Sequence, residues 1–363
     1  MKLLCIAGAR PNFMKIAPIL RAIKNYPQIT SKLIHTGQHY DAVMSDIFFK
    51  ELQMPDPDIH MGVGGGSHAQ QTADLMLKFD SILVNEKPDY VLVVGDVNST
   101  MACAVTASKL HVPVIHVEAG LRSFDRTMPE EINRLVTDAI SDYLFTTESS
   151  ANQNLKNEGK QENQIFFAGN VMIDSLTFAL PKIEASDILQ RMNLKEKEFV
   201  LVTLHRPANV DSEENLRSML GLLEFIAGYM PVVFPVHPRT KTKLTQYGMD
   251  HKVKLNERIR LIEPLGYFDF IALMRSSVAA VTDSGGVQEE TTFLGVPCLT
   301  MRANTERPVT LDVGTNTLVG QDRDALKSCM EAVLNRSYKK GNIPALWDGM
   351  AAERIAEKLK DLV

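Results

Sequence analysis

Short runs of apolar residues recur along the whole chain. Each breaks off at a glycine, histidine or acid, and a segment with apolar residues at helical spacing usually follows. Runs of this length without polar alternation read as strands buried on both faces, the condition of strands in a parallel sheet. Repetition of strand then helix with short connections predicts a doubly wound α/β architecture. The first series puts strands at 3–8, 33–36, 91–94, 113–117, 143–147 and 165–168, with helices at 13–24, 42–52 and 69–85. On the helix at 13–24, Phe13, Ile16, Ala17, Leu20 and Ile23 share one face.

A second series begins at Phe199, with strands at 199–204, 232–236, 259–262, 278–282 and 298–301. Between the two lies 172–197, charged, helical in pattern and without an apolar run. The expected hinge is near Gly169–Asn170, giving Rossmann-like domains at 1–170 and 171–349 that face a central cleft. An amphipathic helix within 350–363 is free to pack back on the first. A length of 363 residues suits two domains better than one core.

Composition excludes several classes. Hydrophobic content of 45% and charged content of 23% are those of a globular protein, and the net charge of −5 comes without a basic tract. A nucleic-acid surface is not expected, while a small anion held by a few local cations is compatible. No run reaches the roughly 18 apolar residues of a membrane span. The apolar start stops at Arg10-Pro11, too short for a signal peptide, so a cytoplasmic protein is expected. The four cysteines are scattered; Cys5, Cys103 and Cys298 lie in apolar surroundings and read as buried, inert thiols.

Chemistry concentrates at strand ends, where open parallel sheets bind ligands. Two apolar runs of the first domain lead into Asp96 and Glu118, and Pro129-Glu130-Glu131 opens a helix that carries Arg134 one turn on. Helix capping and charge pairing are the plainer reading of these acids: Asp96 could cap a helix near Ser99, and Glu130 could serve its own helix start. Convergence of three acids on one edge favours acid/base work. Gly8-Ala9-Arg10-Pro11 ends the first strand, with Lys15 on the helix beyond and Pro11 suited to its start. Gly62-Val63-Gly64-Gly65-Gly66 lacks the Lys-Ser/Thr of a phosphate loop and reads as a flexible loop able to act as a lid. No Gly-x-Gly-x-x-Gly follows the first strand, which counts against a dinucleotide cofactor.

In the second domain a strand ends in Asp283-Ser284-Gly285-Gly286, and a helix opens with Val287-Gln288-Glu289-Glu290. Glycines there admit a phosphate to the free N–H groups of the helix start; the plainer reading is a tight turn with Ser284 as a cap. His205-Arg206 and His237-Pro238-Arg239 follow two further strands, cation pairs suited to a diphosphate. Neither shows metal-ligand spacing, and no metal is expected.

Together these motifs resemble the non-hydrolysing UDP-N-acetylglucosamine 2-epimerase family, whose fold is the glycosyltransferase-B arrangement. The match runs in order from Gly8-Ala9-Arg10-Pro11 through Gly95-Asp96, His116-Val117-Glu118-Ala119-Gly120-Leu121-Arg122, Pro129–Arg134, His205-Arg206 and Asp283–Glu290 to Thr305-Glu306-Arg307-Pro308. The resemblance implies catalytic roles for Asp96, Glu118, Glu130 and His205. It implies substrate contacts by Arg10, Lys15, Arg134, Arg206, His237, Leu265, Phe270, Ser284, Gly285, Gly286, Glu290 and Arg307, with Glu290 on the ribose hydroxyls and Phe270 on uracil. It further implies UDP-N-acetylglucosamine and UDP-N-acetylmannosamine as ligands, no cofactor, a homodimer, and a polysaccharide precursor as product. Pro207-Ala208-Asn209 and Val309 depart from the family pattern, and Gly37–Asp41 only partly matches the second, activating nucleotide-sugar site of some members. A hydrolysing relative, an epimerase of a related UDP-2-acetamido sugar, a transferase of the same fold and a non-catalytic sensor are the alternatives.

Overall fold

The computed structural model describes residues 1–37, 49–249 and 256–362, without the side chain of Arg10. The expected helix at 42–52 therefore falls largely outside the described residues, as does 38–41 of the partial activating-site match. The chain forms two compact units, Met1–Ala179 with Ala345–Val363, and Leu180–Pro344.

The first unit is built on a seven-stranded sheet. Its strands are β1 (Lys2–Ala7), β2 (Thr30–His35), β3 (Ile59–His60), β4 (Tyr90–Val94), β5 (Val114–Ala119), β6 (Tyr143–Thr146) and β7 (Ile165–Phe167). They lie in the order β3-β2-β1-β4-β5-β6-β7, and every pairing is parallel. Leu3, Leu4, Cys5, Val91, Leu92, Val93 and Val94 are fully buried, so the central strands have no wet face and need no polar alternation. Leu75, Phe79 and Leu83 of helix His68–Glu86 supply part of the cover.

The second unit repeats the plan with β8 (Val200–Thr203), β9 (Val232–Pro235), β10 (Ile259–Ile262), β11 (Ala279–Thr282), β12 (Cys298–Thr300) and β13 (Asn316–Leu318). The order is β10-β9-β8-β11-β12-β13, again all parallel. Each sheet therefore reverses its winding once, between β1 and β4 and between β8 and β11. Such switch points leave a crevice beyond the strand ends where ligands sit. Gly8–Arg10 and Gly95–Asp96 stand at the first; His205–Arg206 and Asp283–Gly286 stand at the second.

Two expectations need correction. The units divide inside helix Val171–Glu184 and not at Gly169–Asn170, because the helix buries Val171, Ile173, Leu176 and Ala179 and its Ser175 hydroxyl donates to Met14 O at 2.5 Å within the first unit. The chain returns to the first unit at Ala345, ahead of the expected 350, with Trp347 buried and its indole N–H donating to Thr147 O at 2.9 Å. The start of the 62–66 loop is anchored, with Val63 buried and donating to Thr36 O at 2.9 Å and Lys78 holding the carbonyls of Met61 and Gly62, while Gly64–Gly66 are exposed. No described helix is long and apolar enough to cross a membrane.

Candidate functional site

In the first unit each of the two strand-end acids meets a buried cation. Lys15, on helix Arg10–Ile23, donates to Glu118 Oε1 at 2.6 Å, and both side chains are almost fully buried. Arg134 Nη1 pairs with Asp96 Oδ2. The capping reading of Asp96 fails, since helix Asn98–Lys109 has Val97 at its cap position and no side-chain cap bond. Glu130 sits half-buried in the first turn of helix Pro129–Ile140, where its charge opposes the positive end of the helix dipole. Arg10 lies at the start of its helix, and nothing further is described of its side chain.

Backbone geometry sharpens the arrangement. Glu118 has φ +72°, and the pairing of β5 with β6 shifts register between Val117 and Ala119. A left-handed glutamate on a bulged strand end is a costly conformation, held only where its surroundings over-determine it and concentrated at functional sites. Gly95 has φ +67°, and a Cβ there would lie 2.7 Å from Lys15 Nζ. The glycine thus leaves room for the cation that meets Glu118.

Arg134 is itself fixed. Glu131 accepts from its Nε at 3.0 Å and Nη2 at 2.7 Å, and also from the Ser123 and Phe124 amides. Burial pushes the Glu131 carboxyl up, but the Ser123 N–H and Arg134 outweigh it and hold it below the usual carboxylate range. Glu131, quoted in the sequence only as part of a motif, proves to be the support of a site cation.

The second unit is organised around Asp283, fully buried at the end of β11. Its carboxylate accepts from the amides of His205 at 2.9 Å and Arg206 at 2.8 Å, from Asn209 Nδ2 at 2.9 Å, and meets His205 Nδ1 at 3.1 Å. Arg206 Nε donates to Asp283 O at 2.9 Å. One acid thereby fixes the turn after β8 to the turn after β11. His237 lies against His205, ring centroids 5.1 Å apart, and its Nδ1 accepts from Arg239 N at 3.2 Å.

Helix Gly285–Leu294 starts at Ser284 without a side-chain cap bond, so the capping reading of Ser284 is not what the structure adopts. A Cβ at Gly285 would lie 2.6 Å from Arg307 Nη1. Arg307 lies buried against this glycine, paired with Glu289 Oε1 at 2.8 Å and with Glu306, whose other oxygen takes Arg302 at 2.7 Å. This buried network backs the helix start. Glu290 is buried next to Glu289 and hydrogen-bonded by Tyr267; burial pushes its carboxyl up to about 8. Leu265 and Phe270 are half-buried, before and within helix Tyr267–Ser276.

Two Rossmann-like units, with acids and cations at one switch point and a glycine-led helix start beside histidines and an arginine at the other, define a two-unit α/β class of protein. The family model for UDP-N-acetylglucosamine 2-epimerase matches residues 21–360. The UDP-N-acetylglucosamine 2-epimerase of Methanocaldococcus jannaschii is 43% identical over 99% of both chains. The UDP-2,3-diacetamido-2,3-dideoxy-D-glucuronate 2-epimerase of Pseudomonas aeruginosa is 41% identical over the full length of both. A crystal structure of the Methanocaldococcus jannaschii enzyme, in complex with UDP-GlcNAc and UDP, superposes with a TM-score of 0.93 over 99% of this chain and 100% of that one, at 43% identity. The chain belongs to the UDP-N-acetylglucosamine 2-epimerase family.

Proposed function

We propose that this protein interconverts UDP-N-acetylglucosamine and UDP-N-acetylmannosamine by inverting C2, without releasing free sugar. The observation that carries the reading is the pair of strand-end carboxylates, Asp96 and Glu118, each oriented by a buried cation at adjacent strands of one sheet. Helix capping does not account for them; ion pairing holds both in place, and two carboxylates so held at adjacent strand ends suit proton transfer.

The C2 proton is not α to a carbonyl, so simple removal and return is disfavoured. A carboxylate takes the C2 proton as the C1–O bond to UDP breaks, leaving 2-acetamidoglucal and UDP. Protonation from the opposite face and re-addition of UDP complete the inversion. Two faces need two proton-handling groups, which suits Asp96, Glu118 and Glu130 together. Negative charge grows on the departing diphosphate, and Arg10, His205, Arg206 and the helix start at Gly285–Gly286 are the donors assigned to it. Excluding water protects the glycal from hydrolysis. Phe270 and Leu265 are assigned to the base, Glu290 to the ribose, Lys15, Arg134, His237 and Arg307 to substrate or its immediate support. The reading extends to a cytoplasmic homodimer that supplies a polysaccharide precursor.

Incubation with UDP-N-acetylglucosamine in D2O, followed at C2 by NMR, tests it. Deuterium at C2 in intact UDP-sugar is expected. Free N-acetylmannosamine with UDP indicates the hydrolysing reaction, and absence of exchange indicates a transferase or sensor. The Pseudomonas aeruginosa relative favours one second reading, a UDP-diacetamido uronic sugar as substrate. Exchange with that sugar but not with UDP-N-acetylglucosamine is its signature.

A further inference from the structure

Helix Pro129–Ile140 carries Glu130, Arg134 and Asp138 four residues apart, on one face. Arg134 reaches Asp96, while the reaction as proposed leaves Asp138 unused. Asp138 is fully buried; its own contacts lie around the Glu118 turn, and it reaches the Asp96 turn through His116. Its Oδ1 lies 2.6 Å from His116 Nδ1, and its Oδ2 accepts from Gly120 N at 3.0 Å and meets Arg122 Nη1 at 2.7 Å. His116 Nε2 lies 2.8 Å from Gly95 O. Gly95 precedes Asp96, and His116 and Gly120 flank Glu118.

A carbonyl and an ionised carboxylate only accept hydrogen bonds. With acceptors on both ring nitrogens, His116 donates from both, and its partner is an ion. Burial pushes the Asp138 carboxyl up, but His116 and Arg122 outweigh it and keep it below the usual range, hence ionised. Arg122 is held in turn by Glu158, at 2.6 Å from Nη2.

We infer that Asp138 and His116 form a buried ion pair that sets the spacing of Asp96 and Glu118: a pair of positioning residues for the proton transfer, never touching substrate. The inference rests on the epimerase reading for its kinetic consequence; for its charge it rests on the donors that meet Asp138, Gly120 N and Arg122, together with its lowered pKa. A helix face that bears one acid at its first turn then aligns the other two from beneath, Asp96 through Arg134 and both turns through Asp138.

The test has two arms. In protein labelled with 15N-histidine, His116 should show both ring nitrogens bearing hydrogen. A neutral tautomer in the wild type overturns the pair whatever the enzyme does. In the second arm, Asp138→Asn keeps the shape and should convert His116 to the neutral form protonated at Nε2. It should lower kcat for C2 exchange by roughly 10²-fold with KM within about twofold, since loss of alignment costs rate and not affinity. If Asp138→Asn does not fold, His116→Gln, which can still donate to Gly95 O, should lower kcat by roughly tenfold with KM within about twofold, and an unchanged kcat there overturns the positioning role. An Asp138→Asn enzyme with unchanged kcat overturns the positioning role. Wild type with the doubly protonated ring but no C2 exchange would instead fault the epimerase reading and leave the ion pair standing.

Discussion

At the scale of single residues, the second unit's site contains acids pushed in opposite directions. Burial raises Glu290 to about 8 from an ordinary 4.5, with Glu289 adding to the rise and the Tyr267 hydrogen bond opposing it. The folded protein thus keeps a proton that the unfolded chain releases across that window. Stability from this group is full below about 4.5, declines as pH rises, and is flat above about 8. Glu290→Gln should remove that decline, read as urea unfolding at several pH values between about 5 and 9. Equal slopes in wild type and variant would contradict the assignment. Asp283 behaves in the reverse sense: burial raises it, but His205, Asn209 and the Arg206 amide outweigh that and leave it depressed. Its contribution is present above the ordinary carboxylate value and lost as pH falls through the depressed one. Asp283→Asn should cost about 1–3 kcal/mol near neutral pH, and less in acid, by the same measurement.

At the scale of elements, the last helix, Ala351–Lys360, has no cap of its own at Met350. Asp174 supplies one from helix Val171–Glu184, accepting from Ala351 N at 3.1 Å and Ala352 N at 2.6 Å. Ala351, Ala352, Ile355, Ala356 and Leu359 form its buried face. Asp174→Ala should therefore destabilise the protein by about 0.5–2 kcal/mol, the usual value of an N-cap. Thermal unfolding checks it; an unchanged Tm would show that the cap is dispensable. The longer strands were legible because residues buried on both faces leave continuous apolar runs. The short edge strands Ile59–His60 and Asn316–Leu318 were not, being too brief and too polar to stand out from loops. The division lies past Gly169–Asn170 because 171–184 continues as one helix with a buried face, running through Pro181 just beyond the boundary without a break.

At the scale of the whole molecule, each Rossmann-like unit turns its winding over once and sets its chemistry at that place. Trp347, fully buried in the first unit with its indole on Thr147 O, ties the returning chain to the unit's core. Trp347→Ala should cost about 3–5 kcal/mol in urea unfolding, and a loss under about 1 kcal/mol would mean that the returning segment contributes little. Much of the site could be seen in the sequence, since strand-end motifs such as Gly95-Asp96 and Asp283–Gly286 are consecutive residues. The supports could not. Asp138 reads from spacing alone as one more charge on a helix face, and the role of Glu131 emerges only once its buried bonds to Arg134, Ser123 and Phe124 are seen together.

The central claim is that carboxylates of one unit move the C2 hydrogen while UDP departs, so the glycal and UDP must be competent in the return direction. Supplying 2-acetamidoglucal and UDP to the enzyme in D2O tests this most directly. The account predicts UDP-N-acetylglucosamine and UDP-N-acetylmannosamine, both deuterated at C2, with their formation abolished in Asp96→Asn or Glu118→Gln. An enzyme that epimerises the UDP-sugar yet forms none from glycal and UDP would contradict it.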